Sequence, residues 1–550
     1  MSRVKEVPSQ QQSISYNKDA QTMACTAIPI ANNAMKKPRI EDDGRKLQAF
    51  AFLQAILADP TVMIQTSNEI KAVMNRVPDP YTGKEQNVII RHEDHSFWQT
   101  AIRELEQEHD APTRMVVVGT PGIGKSTTAL YAIRLLLLRK RRVVYVHRTP
   151  EREDHYIELT PSSLENNNNN TSAEEVEIEI HPEKLSPTEI PSLSQKSTYY
   201  IVDPGKTKTT CNPSARVAAR VIIVASPDER HWGGASFEKD DQQSLGGFLR
   251  YFPMWSLTQL KGASPLLLTT TTVDDNNQQV AELYSVFGGI PRYSFAPQKR
   301  SKQKIKELKR KVDSLTDKQL RGLVTGQLNR HSGFGEDQPG GEIVAFVPLD
   351  DYTDVELKLA STSILEWVRI RFLDAIWTDL AMYPTPIAWQ LLEDYMLYSL
   401  MQNRIQWNVR PCVGESHVAY AQIQNHTFGP CAEKNLVGDC TASVLNGPNW
   451  ALFYSSDSSH PLYDMIYRVD TIFFAFQVTL GKSHDVKQQQ IDALVQRLEI
   501  GTHGKELRLY YAVHEAVFDH FVTKPVSVNY APGVSVFHLR VVNGLGTTTT

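Results

Sequence analysis

The residues Gly119-Thr120-Pro121-Gly122-Ile123-Gly124-Lys125-Ser126 match the pattern GxxxxGK[ST] throughout. Glycines at these positions let backbone N–H groups turn inward. An amine and a hydroxyl follow, where a helix would begin. That combination suits a polyphosphate. The N–H groups cradle it, the helix N-terminus adds positive potential, the lysine neutralises the β/γ-phosphates and the hydroxyl ligates Mg²⁺. The pattern therefore predicts an ATP and Mg²⁺ site. Its nucleotide contacts are Gly119, Thr120, Pro121, Gly122, Ile123, Gly124, Lys125, Ser126 and Thr127, with Lys125 also in the catalytic role.

Such a site needs an acid on a neighbouring strand to help hold the metal. Asp203 closes the apolar run Tyr199-Tyr200-Ile201-Val202-Asp203 and fits beside Ser126 as the metal residue. Its other reading is a strand-end aspartate that starts the turn into Pro204-Gly205. A hydrolysing site also wants a base to polarise water, often the residue after that aspartate. Here that residue is Pro204, so binding is better supported than turnover. Glu229, in Ser226-Pro227-Asp228-Glu229-Arg230, is the replacement base or else a plain loop acid. In Tyr284–Tyr293, YSVFGGIPRY, the paired glycines and the proline predict a close-packed backbone turn. Arg292 is placed there either to reach a phosphate or to form a surface ion pair.

A second constellation lies near the end of the chain. Metal-dependent phosphodiester cleavage can be built from an aspartate at one strand start and an acid-x-lysine on the next strand. The acids bind the metal and the lysine orients water. Pro461-Leu462-Tyr463-Asp464 followed by Ile472–Thr479 has that spacing, with Asp464 as the metal-binding acid. Gln477 stands where the second acid would be and Thr479 where the lysine would be, so the charges are lost. Gln477 keeps a carbonyl oxygen to offer. Lys482 and His484 can supply a cation, and Glu393 in WQLLEDYMLYSL an acid. The plainer reading is a turn-starting Asp464 and a polar strand residue Gln477.

These side chains need elements to hold them. MVVVG from Met115 reads as a buried strand, Ser126 to Leu138 as a helix, and Arg142 to His147 as the next strand. TYYIVD (198–203) and RVIIVAS (220–226) are two more apolar runs. The order is that of an α/β fold with a parallel sheet. The segments organise as a disordered tail (1–45), an N-terminal helical region (46–112), the strand–helix–strand module (113–297), a basic linker or helix (298–342), and a C-terminal region (343–540). In that last region helical patterns over about 351–380 and 385–405 precede a β-rich stretch from roughly 415. Asn166–Asn170 reads as a low-complexity insertion, and GFGEDQPGG (333–341) as a break.

Composition sets the bounds. The 550 residues carry a net charge of −4, which excludes a uniformly basic nucleic-acid binder and leaves room for a local patch. That patch is KRSKQKIKELKRK (299–311), interrupted by the single acid Glu307. It suits DNA phosphates or an import signal; the plainer reading is a solvated helix face. Lys36-Lys37-Pro38-Arg39 is a shorter basic run in the tail. The five cysteines (Cys25, Cys211, Cys412, Cys431 and Cys440) form no CxxC pair, which speaks against a zinc ribbon or a disulfide framework. No apolar run has signal-peptide or membrane-helix length, so the expectation is a soluble intracellular protein without a membrane partner.

The series GTPGIGKS, YYIVD, VIIVASPDE, FPMWSLTQL (252–260) and FGGIPRY, in that order, resembles the Crinkler and retrotransposon-hot-spot group over about residues 95–297. The resemblance implies a P-loop NTPase module joined to a C-terminal, restriction-endonuclease-like α+β domain, acting in or near a nucleus. An LFLAK-type Crinkler delivery motif is not found near the N-terminus. The expected function is an ATP-binding NTPase that controls a degenerate nuclease-like domain acting on nuclear nucleic acid. The alternatives are a nucleotide-gated signalling or effector module without nuclease activity, and a DNA-remodelling ATPase.

Overall fold

The computed structural model describes residues 44–58, 61–62, 69–79, 83–107, 114–147, 155–161, 176–182, 185–204, 217–227, 247–268, 273–325, 341–349, 351–383, 385–401, 408–411, 434–436, 452–455, 463–485, 488–524 and 532–541. The polar tail up to residue 43, the asparagine run, Glu229, most of GFGEDQPGG and all five cysteines lie outside these residues.

Helix α1 (Gly44–Leu57) opens the described chain. Strands β1 (Thr61–Val62), β2 (Ile70–Pro78) and β3 (Glu85–Arg91) follow as an antiparallel sheet. The expectation of a helical region over 46–112 is corrected here. Two register shifts in the β2–β3 pairing break the two-residue alternation that would have marked the strands. Helix α2 (His92–Glu106) then begins at Arg91, whose N–H donates to the Asp94 carboxylate at 3.0 Å.

Strand β4 (Arg114–Val118) is buried at every position, as a strand covered on both faces must be. It feeds helix α3 (Lys125–Leu138), and β5 (Val143–His147) follows. The hairpin β6 (His155–Pro161) and β7 (Val176–Pro182), then β8 (Tyr199–Asp203), β9 (Arg220–Val224) and β10 (Gly247–Tyr251), complete a seven-stranded sheet in the order β10-β4-β9-β8-β5-β6-β7. The five strands from β10 to β5 are parallel, and β6 and β7 extend the sheet antiparallel. Asp203 therefore stands two strands from the loop it was expected to serve, with β9 between.

Leu53, Val77, Ile90 and Trp98 share one apolar core with Met115, Ile133, Tyr199 and Phe252. The expected boundary at 112/113 does not divide the packing.

Helices α4 (Leu257–Leu267), α5 (Val273–Phe287), α6 (Gln298–Asp313) and α7 (Asp317–Val324) lead to a hairpin of β11 (Val344–Pro348) and β12 (Val355–Leu359). The helical pattern expected from 351 starts only at Thr362, because Val355–Leu359 pairs as a strand. Helix α8 (Thr362–Met382) and helix α9 (Pro386–Met401) pack on a second seven-stranded sheet. Its order is β13 (Asn408–Pro411), β21 (Val534–Val541), β19 (Glu506–His514), β17 (Ile472–Thr479), β16 (Met465–Val469), β15 (Leu452–Ser455) and β14 (Lys434–Leu436). Helix α10 (Gln488–Leu498) covers its other face, and the short pair β18 (Ser483–Asp485) and β20 (Val522–Lys524) lies beside it.

Leu308, Val312, Leu320 and Leu323 of α6 and α7 are buried in the same core as Ile376, Leu391 and Phe476. The basic segment is thus built into the second core rather than linking two bodies.

Candidate functional site

The loop between β4 and α3 turns through three glycines with positive φ: Gly119 at 156°, Gly122 at 89° and Gly124 at 102°. At Gly122 a side chain would press on Ile290 and Arg292, with Cβ 3.1 Å and 3.3 Å from their nearest atoms. Both the backbone and the space call for glycine there. Helix α3 begins at Lys125, so its first amides open toward the loop.

Lys125 is buried, and its Nζ donates to the carbonyls of Gly119 (2.7 Å) and Thr120 (3.2 Å). Burial pushes its pKa down to about 7; Asp203 opposes that shift and Arg292 adds to it. Lys125, Asp203 and Arg292 line one cavity of ≈ 870 Å³, together with Pro121, Gly122, Gly124, Ser126 and Thr127. Ser126 and Arg292 are exposed in it, whereas Asp203 is buried. These expected residues converge. Thr120 and Ile123 do not face the cavity in the same way. Both are fully buried, and they act through backbone and hydroxyl contacts.

The cavity also holds residues that the sequence reading passed over. His147 and Asp203 end two paired parallel strands, and His147 Nδ1 lies 3.1 Å from Asp203 Oδ2. Ser226 follows β9, and Gln86 and Asn87 come from β3. In an open parallel sheet the crevice lies beyond the strands' carboxyl ends. That rule picks out His147 and Ser226 once the strands are assigned. Gln86 and Asn87 have no such signal.

The FPMWSLTQL and FGGIPRY segments act on the loop from outside. Trp255 Nε1 donates to Ile123 O at 2.9 Å, and Trp255 N donates to Gly289 O at 3.3 Å. A Cβ on Gly289 would fall 2.1 Å from Trp255 O, and one on Gly288 would fall 1.9 Å from Ala360 O. The close-packed turn expected from the glycine pair is therefore found. Fully buried Arg91 binds Asp94 through its guanidinium, donates to Pro253 O and Met254 O, and lies 4.7 Å from the Trp255 ring.

A second cluster forms around Asp464. Its carboxylate accepts from Val478 N at 2.6 Å and from Gln477 Nε2 at 3.1 Å and 3.2 Å. Gln477 Oε1 is buried and accepts no hydrogen bond among the described residues. Both Glu393 and Asp464 are largely enclosed. Burial, then repulsion from Asp464, pushes Glu393 above the usual carboxylate range, and Lys358 pulls it back in part. Burial also raises Asp464, against its two hydrogen-bond donors.

Asp464, Gln477 and Glu393 thus come together. Thr479 is buried and accepts from Gly481 N, Lys482 is exposed in the following turn, and His484 packs at a tilt against Tyr511 with ring centroids 5.1 Å apart. The cation that acts on Glu393 is Lys358 on β12, which the sequence reading had placed in a helix.

Glu158, Glu179 and His181 on the β6–β7 hairpin bring potential ligand atoms within 4.8 Å of one another. His181 Nε2 lies 2.8 Å from Glu158 Oε2, and Arg142 Nε lies 3.6 Å from Glu158 Oε1, so an imidazole and a guanidinium already partner the acid. No described helix is long and apolar enough to cross a membrane. No family model matches the chain, and no curated protein matches it.

Proposed function

We propose that this protein is an ATP-binding, Mg²⁺-dependent P-loop NTPase of the Crinkler and retrotransposon-hot-spot type, joined to a restriction-endonuclease-like module. One observation carries the reading. A complete GxxxxGKS loop joins a buried parallel strand to a helix N-terminus, and its lysine lines a cavity with Asp203 and Arg292. Backbone amides around Gly122, Gly124 and Lys125 would hold the phosphates, with Lys125 and Arg292 as countercharges. Ser126 and Asp203 would hold the metal, which neutralises charge on the phosphates. His147 would fix the Asp203 carboxylate. Pro204 stands directly after Asp203, where a water-activating acid would be expected, so the reading is of nucleotide binding first and hydrolysis second.

The C-terminal module is the weaker partner in chemistry. Asp464 and Glu393 supply two acids, and Gln477 Oε1 supplies a neutral oxygen, which suits a divalent cation. Thr479 brings no charge to the position where a lysine would assist cleavage. That favours the second reading, in which the module senses or binds nucleic acid without cutting it. The polyanion partner would be nuclear DNA, met through the exposed cations of α6.

The primary test is calorimetric titration with Mg-ATP. Wild type should bind and Lys125→Ala should not, with unchanged circular dichroism. Equal binding by both overturns the site. A Mg²⁺-dependent DNA cleavage assay with Asp464→Ala then separates a nuclease from a switch.

A further inference from the structure

Thr120 accepts two hydrogen bonds from different elements. Its carbonyl accepts from Lys125 Nζ, and its hydroxyl oxygen accepts from Phe346 N at 3.0 Å. The residue is fully buried, so neither bond competes with water. Phe346 lies in β11, opposite Leu357 of β12. The next two residues of β12 act on the acidic pair's helix, one through its side chain and one through its backbone. Lys358 acts electrostatically on Glu393, and Leu359 N donates to Gln390 Oε1 at 2.8 Å, one turn before Glu393 on α9.

The far end of the same hairpin is clamped to the turn that precedes Ile290 and Arg292. Ala360 O packs against Gly288, Ser361 Oγ donates to Val286 O at 2.6 Å, and Thr362 Oγ1 donates to Ser285 O at 3.0 Å. Ile290 and Arg292, just beyond that turn, touch the loop at Gly122. The β11–β12 hairpin is therefore fastened to the loop at Thr120, to the turn that leads into Arg292, and to the helix that carries Glu393.

We propose that the β11–β12 hairpin is the mechanical link by which occupancy of the loop regulates the Glu393–Asp464 site. The proposal rests on the nucleotide reading above. Lys125 spends two of its three N–H donors on the Gly119 and Thr120 carbonyls, and a bound polyphosphate would compete with those carbonyls for them. As the lysine leaves, the Thr120 peptide loses its charged donor, and the hydroxyl of the same residue carries the change into β11. Packed elements with few alternative arrangements pass such shifts on rather than absorb them. At the hairpin's other strand the change reaches α9 through Leu359 and Gln390.

Hydrogen–deuterium exchange of the full chain tests this, with and without Mg²⁺ and a non-hydrolysable ATP analogue. Wild type should change exchange by at least about threefold in peptides covering 343–360 and 386–401, besides the loop itself. In Gln390→Leu, which leaves the loop untouched, the change should persist in 343–360 and vanish in 386–401. A wild type that binds the analogue and changes only around 114–138 overturns the link, whatever the variant does. A wild type that binds no nucleotide overturns the nucleotide reading and the link together.

Discussion

Trp255 reaches across 132 residues of sequence to donate its indole N–H to the carbonyl of Ile123, at the crest of the phosphate-type loop. The same residue's backbone N–H holds Gly289 in the opposing turn. One tryptophan thus ties the loop to the turn that leads into Arg292. Arg91 fixes the ring from behind.

Trp255→Phe keeps the ring's packing and removes the indole donor. A neutral hydrogen bond of this kind contributes about 0.5–1.5 kcal/mol. Nucleotide affinity should fall by roughly two- to tenfold while the fold stays intact. Titration calorimetry checks it; an unchanged Kd would show that the crest needs no outside support.

Lys125 sits near pH 7 in its titration because burial disfavours the ammonium. A triphosphate favours the charged form, so binding above pH 7 must take up a proton. Affinity should fall as pH rises from 7 to 9, by up to about tenfold per unit. Calorimetry in two buffers of different ionisation heat should show uptake growing toward one proton. The stability sign is opposite in sense. Between about 7 and 10.5 the unfolded chain holds the proton that the folded chain has shed, so stability rises with pH across that window. Lys125→Met should flatten this rise.

The acidic pair gives the reverse slope. Burial raises both carboxyls and repulsion from Asp464 raises Glu393 further, so above the ordinary carboxylate range the folded chain holds protons that the unfolded chain has lost. Stability should fall as pH climbs from about 4 toward 8. Glu393→Gln should raise the unfolding midpoint at pH 8 and leave it unchanged near pH 4. The gain is roughly 1 °C for each kcal/mol recovered if the whole chain unfolds together. Millimolar Mn²⁺ should stabilise wild type at pH 8 but not the variant, if the pair holds a cation.

Helix α6 divides its cations. Lys304 and Lys311 pair with Glu342 at 2.9 Å and 2.6 Å, and Leu308 and Val312 are buried. Lys299, Lys302, Lys306 and Arg310 are exposed and share another face. Over this helix they span about 16 Å. Replacing Lys302, Lys306 and Arg310 by Gln should reduce the salt slope of duplex DNA binding by about 2.7, at roughly 0.9 per phosphate contact. A slope that does not move would assign these residues to solvation alone.

Much of the loop was legible because its chemistry is local. Glycines at fixed spacing, a lysine and a hydroxyl sit within one turn of chain, between an apolar run and a helix. YYIVD and RVIIVAS were legible as strands for the same reason, since burial on both faces leaves an unbroken apolar run. Strands β2 and β3 were not, because their bulged pairing blurs the alternation. Lys358 was hidden by a short strand that borders a long helix and shares its apolar spacing. His147 and Gln86 owe their roles to which strands end side by side, and no local pattern encodes that. Asp464 and Gln477 could be paired from their spacing, but their approach to Glu393 depends on how α9 lies on the sheet.

The order β10-β4-β9 has a consequence during synthesis. Strand β4 is apolar on both faces, yet its neighbours are made last among the strands of its sheet: β9 about 100 residues later and β10 about 130. At ~5–20 residues per second the ribosome leaves that strand without its partners for roughly 6–26 s. The nascent chain must shield the segment that carries the GxxxxGKS loop for this whole interval, either under α1 and α2 or in the hands of a chaperone.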